Sequence, residues 1–238
     1  VVLGLALLPG LASAQAVSID LGGDSTLTLR TVQLFVLVTL LSLAPGLAIM
    51  VTCFPFMVTV LSILRQAVGV QQAPPNMMIV SLALFLTYFV MEPVFREAWE
   101  LGINPLLQGQ MEADQAIPVA IAPFREFMLG RVDPDTLSVM LDASPSAPTD
   151  NIEDVDLSVL VPSFLLSEIQ RGFEVGFLVF LPFLIIDLVV AAVLMSMGMM
   201  MVPPAVVALP FKLAFFVVAD GWTLLAGAMV RSYGNCFA

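Results

Sequence analysis

The sequence contains no histidine, a single lysine and only two cysteines in 238 residues. Histidine is the commonest general base and a frequent metal ligand, so its absence argues against many enzymes and metal sites. Cys53 and Cys236 are far apart in the chain, which predicts neither a disulfide framework nor a zinc site. G-x-S-x-G, P-loop and H-E-x-x-H motifs are also missing. We therefore expect no enzymatic activity and no cofactor.

Charge is scarce as well, and it is unevenly distributed. Only 11% of the residues are charged and 60% are hydrophobic, whereas soluble domains carry about 25% charged residues. The net charge of −11 comes entirely from residues 92–174, which hold 15 acidic and 4 basic side chains. The composition therefore predicts a membrane protein with one acidic polar segment. Such a segment excludes nucleic acid as its partner, because phosphate requires a basic surface.

Four apolar blocks account for most of the remaining chain. They are Thr31–Leu64, Gln66–Met91, Val175–Phe211 and Leu213–Val230, of which the last two contain one aspartate each. A spanning helix needs about 20 apolar residues, so we predict an all-α membrane protein with about four long apolar helical segments. Prolines within these blocks predict proline-broken helical hairpins that are sheltered by other protein rather than by lipid.

Composition divides the chain into four parts. Residues 1–16, VVLGLALLPGLASAQA, resemble a secretory signal peptide, although a short apolar helix that stays on the protein is the alternative. Residues 17–91 hold a polar stretch and the first apolar hairpin, and residues 92–174 form the acidic segment. Residues 175–238 form a second apolar hairpin with a methionine-rich loop.

Two cations give the orientation. Arg65 lies near the first turn between apolar blocks and Lys212 near the last, and neither is close in sequence to an acid. The positive-inside rule places both turns in the cytoplasm, which makes residues 92–174 extracytoplasmic.

Two aspartates interrupt the apolar blocks of the second hairpin. Asp187 and Asp220 would lie level with each other if Pro203-Pro204 formed the hairpin turn. Intramembrane acids are candidates for function, here a paired-aspartate protease or a proton relay. The alternative that we favour is structural, in which a neighbouring helix or Lys212 satisfies the carboxylate.

The stretch MSMGMMMVPP, residues 195–204, holds five of the 14 methionines. Methionine fills irregular gaps in cores, and thioethers such as Met195, Met197 and Met199 can bind Cu(I). No cysteine or histidine is near enough in sequence to complete a tight copper site. The third interpretation is a compliant apolar seal, in which several copies of the loop close around an axis and exclude water.

Three smaller features remain open. GFEVG, residues 172–176, is a G-x-x-x-G pattern that permits close helix packing. Arg125 and Glu168 occur in the otherwise apolar stretches FREFML and LLSEIQ. They lie either on a solvated face or in an ion pair within or between subunits.

Several stretches together resemble the FliP family of flagellar type III export-gate subunits, to which an injectisome R-type subunit is related. They are APPN, LALFLTYFVMEPV, FREFML, FLPFLIIDLVVAAVLMSMGMMMVPP and LPFKLAFFVVADGW, and they run in order through nearly the whole chain. GMMMVPP and LPFK are the most specific of these. A soft-metal or ion transporter that uses the methionines and aspartates is the alternative function.

The resemblance implies a non-enzymatic subunit of a helical channel in the bacterial inner membrane, at the flagellar basal body. Unfolded flagellar subunits would pass through this channel. The implied assembly is a pentameric homo-oligomer with FliQ and FliR components, beside FlhB and FlhA of the export apparatus. Carried over to this sequence, Met199, Met200 and Met201 are the pore gate, and Arg125 and Glu168 are charge contacts in the assembly.

Two departures from the family pattern limit this transfer. The family has a Thr-Arg pair after the first helix, where this chain reads CFPFMV with Phe56 in place of the arginine. The acidic loop 142–156 is also longer than is usual in the family, and the resemblance implies no role for it.

Overall fold

A computed structural model of the chain describes residues 24–69, 74–144, 155–199 and 201–234. Contacts divide the chain into two units, residues 1–45 and 46–238, and each is described by itself. The first unit contains most of helix α1, and the second unit contains the features discussed below. The signal-like segment 1–16 and most of loop 142–156 lie outside the described residues.

Every regular element in the described part of the chain is helical, which confirms the all-α prediction. The α-helices are α1 (Asp24–Met50), α2 (Phe54–Val68), α3 (Asn76–Ala98), α4 (Asn104–Leu107), α5 (Ala113–Leu129), α6 (Pro134–Ala143), α7 (Leu157–Ser196), α8 (Pro204–Val218) and α9 (Gly221–Arg231). A π-helical turn, Trp99–Ile103, joins α3 to α4.

Three stretches are long and apolar enough to cross a membrane: Arg30–Met50, Asn76–Leu107 and Leu157–Ser196. A fourth exists if α8 and α9, which meet at a bend of 61°, form one broken span. The predicted number of apolar segments is therefore confirmed. Helix α2 has only 15 residues, which is shorter than the roughly 20 that a span needs.

The prolines break fewer helices than the sequence suggests. The sequence analysis predicts helices broken at prolines within the apolar blocks, but Pro182 and Pro210 lie inside α7 and α8 and do not break them. Pro203 and Pro204 do coincide with a break, and Pro55 lies in the first turn of α2, where its missing N–H costs nothing. Among the described helices, a proline therefore coincides with a helix start only as the N-cap residue or within the first turn.

The boundary drawn at residues 174/175 lies inside a continuous helix. Helix α7 runs from Leu157 to Ser196, so it belongs to both the acidic segment and the second apolar hairpin. Acidic side chains on its first half do not stop the helix, since propensity and packing set its length rather than charge. The division of the chain into four parts by composition stays a prediction.

The packing of α2 against α7 forms the centre of the core. Phe56, Val60 and Leu64 of α2 are buried, and α2 makes its most extensive helix contact with α7. Opposite them α7 presents Gly172 and Gly176, which confirms that the GFEVG pattern permits close packing. A Cβ added at Gly176 would lie 2.3 Å from Ile63 Cδ1, and one at Gly172 would lie 3.0 Å from Thr59 Cβ.

Replacing Gly176 by alanine should loosen this contact. The added methyl group meets the Ile63 Cδ1 methyl, and overpacking of this kind costs about 1–3 kcal/mol. We expect Gly176→Ala to lower the apparent melting temperature of the purified protein in detergent. The double variant Gly176→Ala/Ile63→Val removes the Cδ1 methyl and should recover part of the loss, because Cβ and Cγ1 of residue 63 still lie 3.2 Å from the added methyl group. Equal melting temperatures for the single and double variants would show that the helices are not in the close contact described.

Candidate functional site

The methionine loop, residues 197–203, joins α7 to α8, and its start is a hydrogen-bonded helix end. Met199 N–H donates to Leu194 O and Gly198 N–H donates to Met195 O, both at 3.0 Å. Gly198 has φ +75°, the left-handed conformation that glycine adopts without a Cβ penalty. Extended Pro203 then leads into α8, so a glycine near the start of the loop and a proline at its end favour this turn locally.

The described methionines of this loop are exposed, unlike the methionines of the core. Met201 is 97% exposed and Met197 is 67% exposed, whereas Met57 and Met91 are fully buried. Packing within the chain therefore does not account for the loop methionines, and this includes Met195 one turn back. Exposed clustered apolar side chains indicate an interaction surface. Met200 lies outside the described residues.

An apolar groove of about 550 Å³ lies between the ends of α7 and α8 that adjoin the loop. Val189, Val193 and Leu194 of α7 and Phe211 of α8 line it together with other apolar side chains. Met197 and Met199 also line it, so the loop begins against this groove.

The lysine at position 212 joins three helices. Its Nζ lies 2.6 Å from Asp187 Oδ2 of α7 and donates to the Ala67 carbonyl of α2 at 3.0 Å. The Ala67 carbonyl is in the last turn of α2, where orphan carbonyls attract a cation. Lys212 is buried, and Asp187 Oδ1 is a buried oxygen without a hydrogen-bond partner among the described atoms. This geometry matches the structural interpretation of Asp187.

Asp220 has a different role from Asp187. It begins α9 with φ +49° and accepts a hydrogen bond from Thr223 Oγ1 at 3.2 Å. Lys212 lies beside Asp187, and Asp220 follows Lys212 by eight residues, or about 12 Å of helix. Asp220 therefore lies at the bend between α8 and α9, away from Asp187. The two aspartates take different partners, and the transporter alternative that needs them together gains no support.

A second buried charge lies at the opposite end of α2. Glu168 of α7 is fully buried, and its Oε1 lies 3.0 Å from Arg131 Nε in the turn after α5. Its Oε2 accepts a hydrogen bond from the Tyr233 hydroxyl, beyond α9. The Arg131 guanidinium also lies 4.1 Å from the centre of the Tyr233 ring and donates to the Ser232 carbonyl at 3.1 Å. We call these three residues the Arg131–Glu168–Tyr233 cluster.

Arg125 and Glu168 make no ion pair with each other within the described residues. Arg125 Nη2 instead donates to the Val155 carbonyl at 2.6 Å, which ties α5 to the chain just before α7. Arg131, which lies six residues after Arg125, carries no motif in the sequence that marks it as the partner of Glu168. Tyr233 could have been noticed in the sequence, because it is one of only two tyrosines in an apolar chain.

Burial keeps two acidic groups near this cluster neutral. Burial raises the pKa of Cys53 to about 12, and burial together with the Glu168 charge raises the pKa of Tyr233 well above its ordinary value. Glu168 therefore keeps its tyrosine donor at alkaline pH.

These raised pKa values predict alkaline destabilisation. The unfolded chain loses these protons above the ordinary pKa values of 9.0 for Cys53 and 10.0 for Tyr233, while the folded chain keeps them. The free energy of unfolding should then fall by up to about 1.4 kcal/mol per pH unit for each group. Urea titrations from pH 8 to 11 measure this slope. Cys53→Ala and Tyr233→Phe should each make it shallower, and unchanged slopes in both would contradict the assignment.

Removing one partner of the buried cluster should cost more than removing a surface pair. Arg131→Met leaves the Glu168 carboxylate buried without its cation, which typically costs about 3–5 kcal/mol. Arg96→Met is the matched control, because the Arg96–Glu92 pair is exposed and such helix pairs contribute about 0.3–0.5 kcal/mol. Yield and melting temperature in detergent measure the loss in each variant. The double variant Arg131→Met/Glu168→Met should lose less than Arg131→Met and more than Arg96→Met. Equal losses in Arg131→Met and Arg96→Met would refute the buried pair.

Comparison with known proteins identifies the family. A family model described as the FliP family matches residues 37–229. The flagellar biosynthetic protein FliP of Caulobacter vibrioides is 52% identical over 229 residues, 96% of this chain and 86% of the relative. The protein of the same name from Agrobacterium fabrum is 48% identical over 95% of this chain and 94% of the relative. The one from Bacillus subtilis is 42% identical over 85% of this chain and 92% of the relative. This chain belongs to the FliP family.

Proposed function

We propose that this chain is a pore-forming core subunit of the flagellar type III protein export gate. The observation that carries the proposal is the α7–α8 hairpin, which ends in an exposed methionine loop. In the proposed assembly, loops from several copies meet on one axis, and Met199, Met200 and Met201 form the seal. Unfolded flagellar subunits pass when the loops part.

The hairpin is well suited to present such a loop. The Lys212 tie fixes the last turn of α2 beside Asp187, and α7 then continues from Asp187 to Ser196 without α2 beside it. Apolar side chains line the hairpin beyond the tie. An apolar constriction made of such loops blocks ions by excluding water, and thioether side chains are flexible enough to yield.

The proposed location is the bacterial inner membrane at the flagellar basal body, with residues 92–174 extracytoplasmic. Arg65 donates to Asn76 across the α2–α3 turn, and Lys212 donates to Ala67 near the same turn. Arg65 and Lys212 therefore lie at one end of the α2–α3 hairpin, and the positive-inside argument rests on Arg65, because Lys212 is buried against Asp187.

The proposed partners follow from membership of the family. They are further copies of this chain in a pentamer, FliQ and FliR components, FlhB and FlhA, and the unfolded export substrates. The subunit itself is proposed to have no enzymatic activity and no cofactor. Glu168 pairs with Arg131 and accepts a hydrogen bond from Tyr233 within the chain. Its proposed effect on assembly is therefore indirect, through holding α7 in position. Arg125, which is partly exposed, is the better candidate for a contact between copies.

Shortening the loop side chains should open the seal. The triple variant Met199→Ala, Met200→Ala, Met201→Ala removes the thioethers and leaves a wetted gap, so we expect it to assemble normally but to conduct ions. Ion conductance of membranes that contain the assembled channel is the measurement. Met77→Ala/Met78→Ala is the control, since these exposed methionines lie at the start of α3. Conductance of the triple variant at the unsubstituted level would defeat the seal.

A further inference from the structure

Another groove, of about 280 Å³, lies at the end of the α2–α3 hairpin and shares no lining residue with the groove beside the methionine loop. Apolar side chains from α2, α3 and α9 line it, among them Leu61, Ile79, Leu82 and Trp222. Of the described residues in its lining, Arg65 alone is charged. The groove therefore presents one cation beside an apolar surface that three helices share, and we call it the Arg65 groove.

The charge of Arg65 is not neutralised by an acid within the described residues. Its Nη1 donates to the side-chain oxygen of Asn76, which is uncharged, and it takes part in none of the ion pairs there. Residues 66–91, which follow it in the sequence, contain no acid. Asp220, near the start of α9, accepts a hydrogen bond from Thr223 instead. A guanidinium has several N–H donors, so the bond to Asn76 leaves others for an anion.

The position of Arg65 along the helices is that of a lipid headgroup. Asn76, to which it donates, begins the stretch Asn76–Leu107, which is long and apolar enough to cross a membrane. The end of such a span lies where the hydrocarbon core meets the headgroups. Trp222 is 47% exposed and lines the same groove, and tryptophan is enriched at this depth. A cation, a tryptophan and an apolar lining thus meet at one edge of the apolar span.

We propose that the Arg65 groove binds an anionic phospholipid, with the lipid phosphate on the Arg65 guanidinium and part of one acyl chain against Leu61 and Leu82. Basic recesses between membrane-spanning helices bind acidic headgroups in this way. A zwitterionic lipid also carries a phosphate, but its own ammonium group offsets that charge, so Arg65 favours the lipid with a net negative charge.

Binding of this kind needs only that the helices lie in a membrane, and it does not depend on an export channel. On the proposed orientation, in which the end of α2 is cytoplasmic, the lipid belongs to the cytoplasmic leaflet. That leaflet carries a negative surface potential that attracts arginine and lysine side chains.

Tryptophan fluorescence measures occupation of the groove directly. The sequence contains only Trp99 and Trp222, so Trp99→Phe leaves one fluorophore, which lies in the groove. The purified full chain with this substitution is placed in phosphatidylcholine vesicles that also contain phosphatidylglycerol or phosphatidylcholine brominated on the acyl chains. Bromine quenches tryptophan only at short range, so a titration gives the relative affinity of each lipid for the groove. We expect phosphatidylglycerol to be preferred about fivefold, the effect of one arginine at an anionic surface.

Charge variants in the same single-tryptophan chain test the role of Arg65. Arg65→Gln keeps a hydrogen-bond donor for Asn76 but removes the charge, so the preference should fall to about one. Arg65→Lys keeps the charge and should keep part of the preference. Arg96→Gln is the matched control and should keep all of it, because Arg96 pairs with Glu92 in the last turns of α3, at the other end of that helix.

The reverse reporter separates a specific groove from general attraction of the lipid. Trp222→Phe leaves Trp99, which follows the last residue of α3 and should show no preference for phosphatidylglycerol. The same preference at Trp99 as at Trp222 would overturn the proposal.

Three further outcomes would contradict an anionic lipid in the groove. They are equal quenching of Trp222 by the two brominated lipids, an unchanged preference in Arg65→Gln, and equal loss of preference in Arg65→Lys and Arg65→Gln. The competing occupant is an acidic side chain of a partner subunit. In that case the two lipids quench equally, while Arg65→Gln lowers the amount of other membrane subunits that co-purify with the chain.

Discussion

The contact of the Lys212 ammonium with Asp187 and the Ala67 carbonyl is the constraint on which the rest of the described arrangement depends. One buried cation satisfies an acid of α7 and the carboxyl end of the short helix α2, and it lies on α8 itself. In an apolar environment it would be costly to leave the Asp187 carboxylate or the end of α2 without a partner. The tie therefore fixes how the last turn of α2 packs against α7 and α8, while the left-handed Gly69 ends α2 itself.

The Arg131–Glu168–Tyr233 cluster holds the other end of the same core. It joins the turn after α5, the first half of α7 and the chain beyond α9, while Gly172 and Gly176 bring α2 close to α7 between the two charged sites. With both ends of this packed region fixed, the hairpin of α7 and α8 continues beyond Asp187 to the exposed methionines. Its exposed methionines and apolar groove are the features on which the proposed gate is built.

Local patterns predicted the helical class, the apolar segments and a turn at Pro203-Pro204, because these features depend on residues that are near in sequence. Long-range pairs could not be predicted in this way. Arg131 meets Ser232 and Tyr233 about a hundred residues later, so only the folded chain reveals Glu168's partners. Lys212 was named as a possible partner of Asp187, but its bond to the Ala67 carbonyl has no sequence signal. Continuous α7 was missed because the change in charge at residue 174 suggested a boundary.

The central claim is that methionine loops of neighbouring copies meet on one axis. Disulfide formation between copies carrying Met201→Cys, in a Cys236→Ser background and in native membranes, tests it most directly, since a disulfide requires Cα atoms within about 7 Å. Val139→Cys is the control, because Val139 is also exposed but lies on α6. The account predicts oxidative cross-linking of Met201→Cys into dimers and none for Val139→Cys. Cross-linking at position 139 with none at position 201 would contradict it.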